Sequence, residues 1–174
     1  MPVIVQKYGG SSLATPDLIK SVASRICSAH DSGNSVVATV SAMGDSTDDL
    51  ISIASQVSVM PDLRELDVLL STGELQSCAL VAMALKDMGK NAVSLSGAQA
   101  GIRTDSSYGK AKIADIDTGR IEEELGSGNI VIVAGNIIKK IGPILTHFPP
   151  QNCTDIRSAA GSQELSAKTY TQRG

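Results

Sequence analysis

Aromatic residues are nearly missing from this chain. Its 174 residues hold Phe148, three tyrosines and no tryptophan. The core must therefore be aliphatic, and the stacked aromatic platforms that hold single-stranded nucleic acid are excluded. Positive charge is not in excess either. The net charge is −3 with no basic stripe, so nucleic acid is not expected as a partner. Cysteine is sparse: Cys27, Cys78 and Cys153 are odd in number, widely spaced and form no Cys-x-x-Cys pair. That pattern gives neither a zinc site nor a disulfide framework, and reads as three reduced thiols of a cytoplasmic protein. No apolar run approaches the ~20 residues of a membrane span, so no membrane is expected. The first residues lack both a basic stretch and a signal-type apolar segment, which predicts a chain that is not secreted.

What is present is a hydrophobic content of 42%, enough for a core in a chain of ordinary domain size. Up to residue 135, strand-like and helix-like segments alternate. Residues 2–7 read as a strand. Thr15-Pro16-Asp17 then opens a helix, with Thr15 as N-cap, Pro16 at the first position and Asp17 near the positive dipole end. Leu18, Ile19, Val22, Ala23, Ile26 and Cys27 give it one apolar face. Val36 to Val40 reads as the second strand, followed by a loop and a helix starting near Ser46 or Thr47. A long helix is predicted over 63–88, with a break near Ser71-Thr72-Gly73. Ala92 to Leu95, Lys112 to Ile116 and Ile130 to Val133 read as further strands, and Gly119 to Leu125 as a short helix. Strands separated by helices predict an α/β fold, with a mainly parallel sheet covered on both faces. In such sheets ligands bind at the carboxyl ends of the strands. The loops at Gly9-Gly10, Ser41 to Thr47 and Ser96 to Gly101 all fall there.

Three segments could carry chemistry. Lys7-Tyr8-Gly9-Gly10-Ser11-Ser12 puts a lysine, two glycines and two hydroxyls just after a strand. It matches neither the Walker A pattern nor Gly-x-Gly-x-x-Gly. It is either a phosphate cradle, with backbone N–H groups turned to an anion, or a glycine turn beside a solvated lysine. Ser41 to Asp49 offers hydroxyls and a helix N-terminus for a carboxylate or phosphate; capping by Ser46 or Thr47, with Asp48 and Asp49 as ordinary first-turn acids, explains it as well. Glu74 is either a partner for a substrate ammonium or an exposed helix residue. His30 and His147 stand alone and read as surface or helix-end residues, and Glu122-Glu123-Glu124 as a solvated face.

The order of four motifs is more specific than any one of them. They are Val5-Gln6-Lys7-Tyr8-Gly9-Gly10-Ser11-Ser12, Val40-Ser41-Ala42-Met43-Gly44-Asp45-Ser46-Thr47-Asp48-Asp49-Leu50, Leu69-Leu70-Ser71-Thr72-Gly73-Glu74, and Ser94-Leu95-Ser96-Gly97-Ala98-Gln99-Ala100-Gly101-Ile102. Together with Ile130 to Gly135 they closely resemble bacterial aspartate kinases of the amino-acid kinase family. The resemblance implies a three-layer α/β/α sandwich. It also implies transfer of the γ-phosphoryl group of ATP, as its Mg²⁺ complex, to the β-carboxylate of L-aspartate. The product, 4-phospho-L-aspartate, leads to lysine by way of diaminopimelate, and to threonine and methionine. By position, Lys7 would be catalytic, stabilising the transferring phosphoryl group. Lys7, Tyr8, Gly9, Gly10, Ser11 and Ser41 would lie on the ATP side. Asp45, Ser46, Thr47, Asp48, Asp49 and Glu74 would lie on the aspartate side, Glu74 through the α-ammonium. No protein metal ligand is implied.

The resemblance ends at Gly135. The family continues with an aromatic residue, a glycine-rich stretch and a Gly-Arg-Gly-Gly-Ser-Asp-type motif. Here Asn136-Ile137-Ile138-Lys139-Lys140 follows, and Ala159-Ala160-Gly161-Ser162 is the nearest likeness, without the arginine and aspartate. Residues 1–135 are thus expected to be the N-terminal part of the kinase domain, and 136–174 a divergent tail, irregular or disordered, arising from out-of-frame translation or a damaged gene. An incomplete sheet would expose an edge and apolar faces, which predicts association, as a homo-oligomer or aggregate. A non-catalytic fragment, or a relative acting on another carboxylate such as glutamate, are the alternative readings.

Overall fold

A computed structural model describes residues 2–105, 108–109, 111–135 and, by their backbone, 167–170. The remaining tail expectations lie outside the described residues. The elements run β1 (Val3–Tyr8), α1 (Pro16–Asp31), β2 (Ser35–Val40), α2 (Ser46–Val57), α3 (Leu63–Asp87), β3 (Ala92–Leu95), β4 (Ile102–Thr104), β5 (Ile113–Ile116), α4 (Gly119–Gly126), β6 (Ile130–Ala134) and β7 (Ala167–Tyr170). The main sheet has the order β3-β6-β2-β1-β7, with every pairing parallel.

Handedness decides where the helices go. The steps β1→β2 and β2→β3 move the same way across the sheet, so right-handed crossovers put α1 and α3 on one face. The step β3→β6 turns back, and α4 falls on the other face. Two aliphatic cores result. On the first face Ile19, Val22, Ala23 and Ile26 of α1 and Cys78, Val81 and Leu85 of α3 pack on Val36, Ala38, Val40, Ile130 and Ile132. On the second, Ile121 of α4 meets Val5, Val37, Leu95, Val131 and Val133. Full burial of a side chain such as Ile26 or Leu85 contributes about 2 kcal/mol. The α/β sandwich expected from the sequence is therefore present, with a parallel sheet and helices on both faces.

Helix boundaries follow local chemistry. Thr15 caps α1 as expected, accepting from the Leu18 N–H at 3.3 Å. Asp62 caps α3, accepting from Arg64 and Glu65 N–H. The expected break at Ser71-Thr72-Gly73 does not occur. The Ser71 and Thr72 hydroxyls donate back to the carbonyls of Val68 and Leu69, and α3 runs through. By length and composition α3 is apolar enough to cross a membrane, contrary to the run-by-run reading; here its buried residues, including Cys78, Val81 and Leu85, face the sheet.

Two strands differ from expectation. Ile113–Ile116 does not join the main sheet but pairs antiparallel with β4, a strand the sequence reading lacked. Gly101 at the base of this hairpin has φ +77, and a β-carbon there would lie 1.8 Å from the Asp117 carbonyl oxygen. In the tail expected to be irregular, Ala167–Tyr170 adds a strand beside β1.

Candidate functional site

The carboxyl rim of the sheet gathers the loops. Two backbone bonds extend the ladders past the strand ends: Ser41 N–H donates to the Tyr8 carbonyl at 3.1 Å, and Gly135 N–H to the Val40 carbonyl at 2.7 Å. Beyond Tyr8 the chain makes one 3-10 turn, Gly10–Leu13, which buries Leu13. Gly10 lies against the next loop: its carbonyl accepts from Gly44 N–H at 3.0 Å. A β-carbon on Gly10 would sit 2.7 Å from the Ala42 carbonyl oxygen. Gly73 of α3 completes the contact, since a β-carbon there would lie 3.3 Å from both the Ala42 and Leu50 side chains. Thus the structure brings the first three motifs together, with Ala42 at their junction.

The fourth motif sits at the same rim but closes on itself. Ser96 N–H donates to Gln99 Oε1 and Gln99 N–H to Ser96 Oγ, at 2.9 and 3.2 Å. Its Ala100 is buried in the α4-side core.

Side-chain placement sorts the candidate residues. Lys7 is half-buried on the α4 face of β1, two residues beyond Val5. Tyr8 points the other way, into the core under α1 and α3, where its hydroxyl donates to Gln6 Oε1 at 3.0 Å. Its side chain is thus structural, and only its backbone reaches the rim. Burial pushes the phenol up to about 12. Gly9 and Ser11 are exposed at the rim, and Ser41 is half-buried beside them. Neither Gly9 nor Gly10 needs a positive φ. Gly10 is required by the close approach of Ala42 rather than by turn geometry.

The second loop departs from simple capping. The N-cap of α2 is Asp45, whose side chain makes no capping bond. The Ser46 hydroxyl donates to the Met43 carbonyl at 2.6 Å, so it braces the loop instead. Thr47 is half-buried, and its hydroxyl has no hydrogen-bond partner among the described residues. Asp45, Asp48 and Asp49 are exposed around it. Glu74 is not the exposed helix residue of the bland reading: it is 3% exposed, immediately after the Gly73 that touches Ala42. One turn further, Cys78 is pushed up to about 12, by burial first and by Glu74 second.

Chemically, the rim offers one amine at the sheet edge, a tight backbone loop, an open helix N-terminus and a buried carboxylate behind it. A polyanion fits the first two, and a zwitterion with its own carboxylates fits the last two. Gly135 was read from the sequence only as a strand end; a β-carbon there would lie 2.6 Å from the Val40 carbonyl oxygen, making it part of the rim floor.

Comparison with known proteins agrees with this layout. The profile of the amino acid kinase family matches residues 2–170. The aspartokinase of Mycolicibacterium smegmatis is 52% identical over 135 residues, 78% of this chain and 32% of that protein. That of Geobacillus stearothermophilus is also 52% identical, over 78% of this chain and 33% of its own length. The crystal structure of aspartate kinase from Synechocystis superposes with a TM-score of 0.66 at 44% identity, covering 78% of this chain and 22% of that one. The chain spans about a third of the length of the curated relatives it matches.

Proposed function

The chain belongs to the amino acid kinase family, and from that premise we propose that residues 1–135 form the N-terminal part of the catalytic domain of an aspartate kinase. The supporting observation is the junction at Ala42, where Gly10, Gly44 and Gly73 meet and the buried Glu74 lies directly behind. The reaction is attack of an aspartate β-carboxylate oxygen on the γ-phosphorus of ATP. ADP leaves and 4-phospho-L-aspartate forms, the first step toward lysine, threonine and methionine. The setting is cytoplasmic.

Lys7 brings positive charge to the phosphoryl group as charge shifts onto its oxygens. Gly9, Gly10 and Ser11, with the Tyr8 backbone, line the phosphate side, and Ser41 lies between the two substrates. Thr47 and the N-terminus of α2 take a carboxylate of aspartate. Glu74 takes its α-ammonium, an ion pair that burial strengthens. Asp45, Ser46, Asp48 and Asp49 frame the mouth of that pocket. Mg²⁺ is assigned to the nucleotide phosphates, where it neutralises charge. Among the described residues no three His, Cys, Asp or Glu side chains converge on one point.

The test is turnover with ATP, Mg²⁺ and a panel of aspartate, glutamate and acetylglutamate, with the acyl phosphate trapped by hydroxylamine. Aspartate-dependent product that Lys7→Ala abolishes is the expected result. Product insensitive to Lys7, or preference for another carboxylate, overturns the reading. The span of one third of the relatives favours a second reading, a fragment that binds without turning over. Aspartate and ATP binding by calorimetry, with no product, would establish it.

A further inference from the structure

Thr39 is the only hydroxyl in the buried run Val36-Val37-Ala38-Thr39-Val40 of the central strand β2. It is 1% exposed, and its Oγ1 has no hydrogen-bond partner among the described residues. A valine of the same shape would fill that place without stranding a polar atom, so the hydroxyl calls for a partner.

Register identifies one. Lys7 is the β1 residue paired with Thr39, and Val133 is its β6 partner, itself paired with Leu95. Val5, Val37, Val133 and Leu95 face α4, so strict alternation puts Lys7 and Thr39 on that same face. Their row therefore reads Leu95, Val133, Thr39, Lys7: two apolar residues, then the hydroxyl, then the amine. Neighbouring strands are about 5 Å apart, within reach of a folded lysine side chain. The Lys7 ammonium carries three donors, and its side chain makes no hydrogen bond or ion pair among the described residues. The residues next along the three strands on this face are Gly9, Ser41 and Gly135, so no side chain in that row is larger than a hydroxymethyl group.

We propose that Thr39 is a positioning residue for Lys7: its hydroxyl accepts one ammonium N–H and holds the charge beneath the small-residue rim. The remaining two N–H groups are then directed at the incoming anion. This deepens the reading of Lys7 as the phosphoryl-binding lysine and rests on it for its purpose, though not for the register that sets Lys7 beside Thr39.

The test is trace acetylation of the intact chain with acetic anhydride, read residue by residue by mass spectrometry. The quantity is the Lys7 rate relative to Lys20 and Lys86. Thr39→Val is expected to raise that ratio about fivefold, as the amine loses its acceptor. Thr39→Ser, which keeps the hydroxyl, is expected to restore it. An unchanged ratio in Thr39→Val overturns the proposal, as does a rise that Thr39→Ser fails to reverse. A melting temperature raised by Thr39→Val with the ratio unchanged would mark the hydroxyl as a structural orphan, and also overturns it. Slowing of Lys7 acetylation by MgATP in the wild type checks the phosphoryl reading separately. Its absence would remove that reading and leave the pairing of Lys7 with Thr39 to be decided by the acetylation ratio alone.

Discussion

A β-carbon at residue 10 has nowhere to go, whereas one at residue 9 meets nothing within 4 Å. The two adjacent glycines therefore do different things. Gly10 lets the backbone of the first loop touch the Ala42 carbonyl, and that contact fixes how the loop after β1 sits against the loop after β2. Gly9 leaves its backbone open at the rim. Gly10→Ala must push two backbones apart by several tenths of an ångström, an overpacking cost of about 1–3 kcal/mol. It is expected to lower the melting temperature and to weaken nucleotide binding. Gly9→Ala is expected to leave stability within about 0.5 kcal/mol, since it adds an exposed methyl in an allowed conformation. Thermal melts of the two variants check the contrast; equal melting temperatures would refute it.

At the scale of elements, β1 and α3 each place one group with shifted titration in the first core. Tyr8 moves from 10.0 to about 12 and Cys78 from 9.0 to about 12, both chiefly because burial penalises the anion. The folded state thus holds these protons more tightly than the unfolded chain. Their contribution is complete below pH 9 and is lost as pH rises through the window up to about 12. At pH 11 the loss is on the order of 1 kcal/mol for Tyr8 and 3 kcal/mol for Cys78. Stability measured by urea from pH 8 to 11 should fall more steeply in the wild type than in Tyr8→Phe or Cys78→Ala. Parallel curves would show that neither proton is linked to folding. This core also marks what the sequence could reveal. Long elements with one clean period, α1 and β2, were legible because burial repeats along them. Glu74 was ambiguous because its surroundings are built from distant segments: Ala42 and Leu50 pack against its neighbour Gly73. That Tyr8 turns its side chain into the core and only its backbone to the rim was not legible, because motif position does not say which face of a strand a residue takes. β4 was missed because three residues, only one of them apolar, carry no period, and its partner lies across a turn rather than in the main sheet.

For the whole molecule, the question is what covers the sheet's edges and its apolar helix surface. β7 pairs with β1 from Val3↔Ala167 to Gln6↔Tyr170, so the tail supplies the strand that occupies the β1 edge. On the α2–α3 side, Val57, Val59 and Met60 are 84%, 100% and 87% exposed, and none of α2 is buried. An open parallel edge and an exposed apolar surface both recruit further chains. Removing residues 136–174 would uncover the first while leaving the second unchanged. If the edge dominates, the 1–135 chain should sediment as larger species than the full chain at equal concentration, and melt at lower temperature. Val57→Lys with Met60→Lys should then leave that difference in place. If the apolar surface dominates, the double lysine variant should shift both chains toward monomer, and truncation should add little. Strand addition at β1 would be refuted by a 1–135 chain that sediments as a monomer and melts like the full chain, because a strand contributing nothing to either property is not closing the sheet.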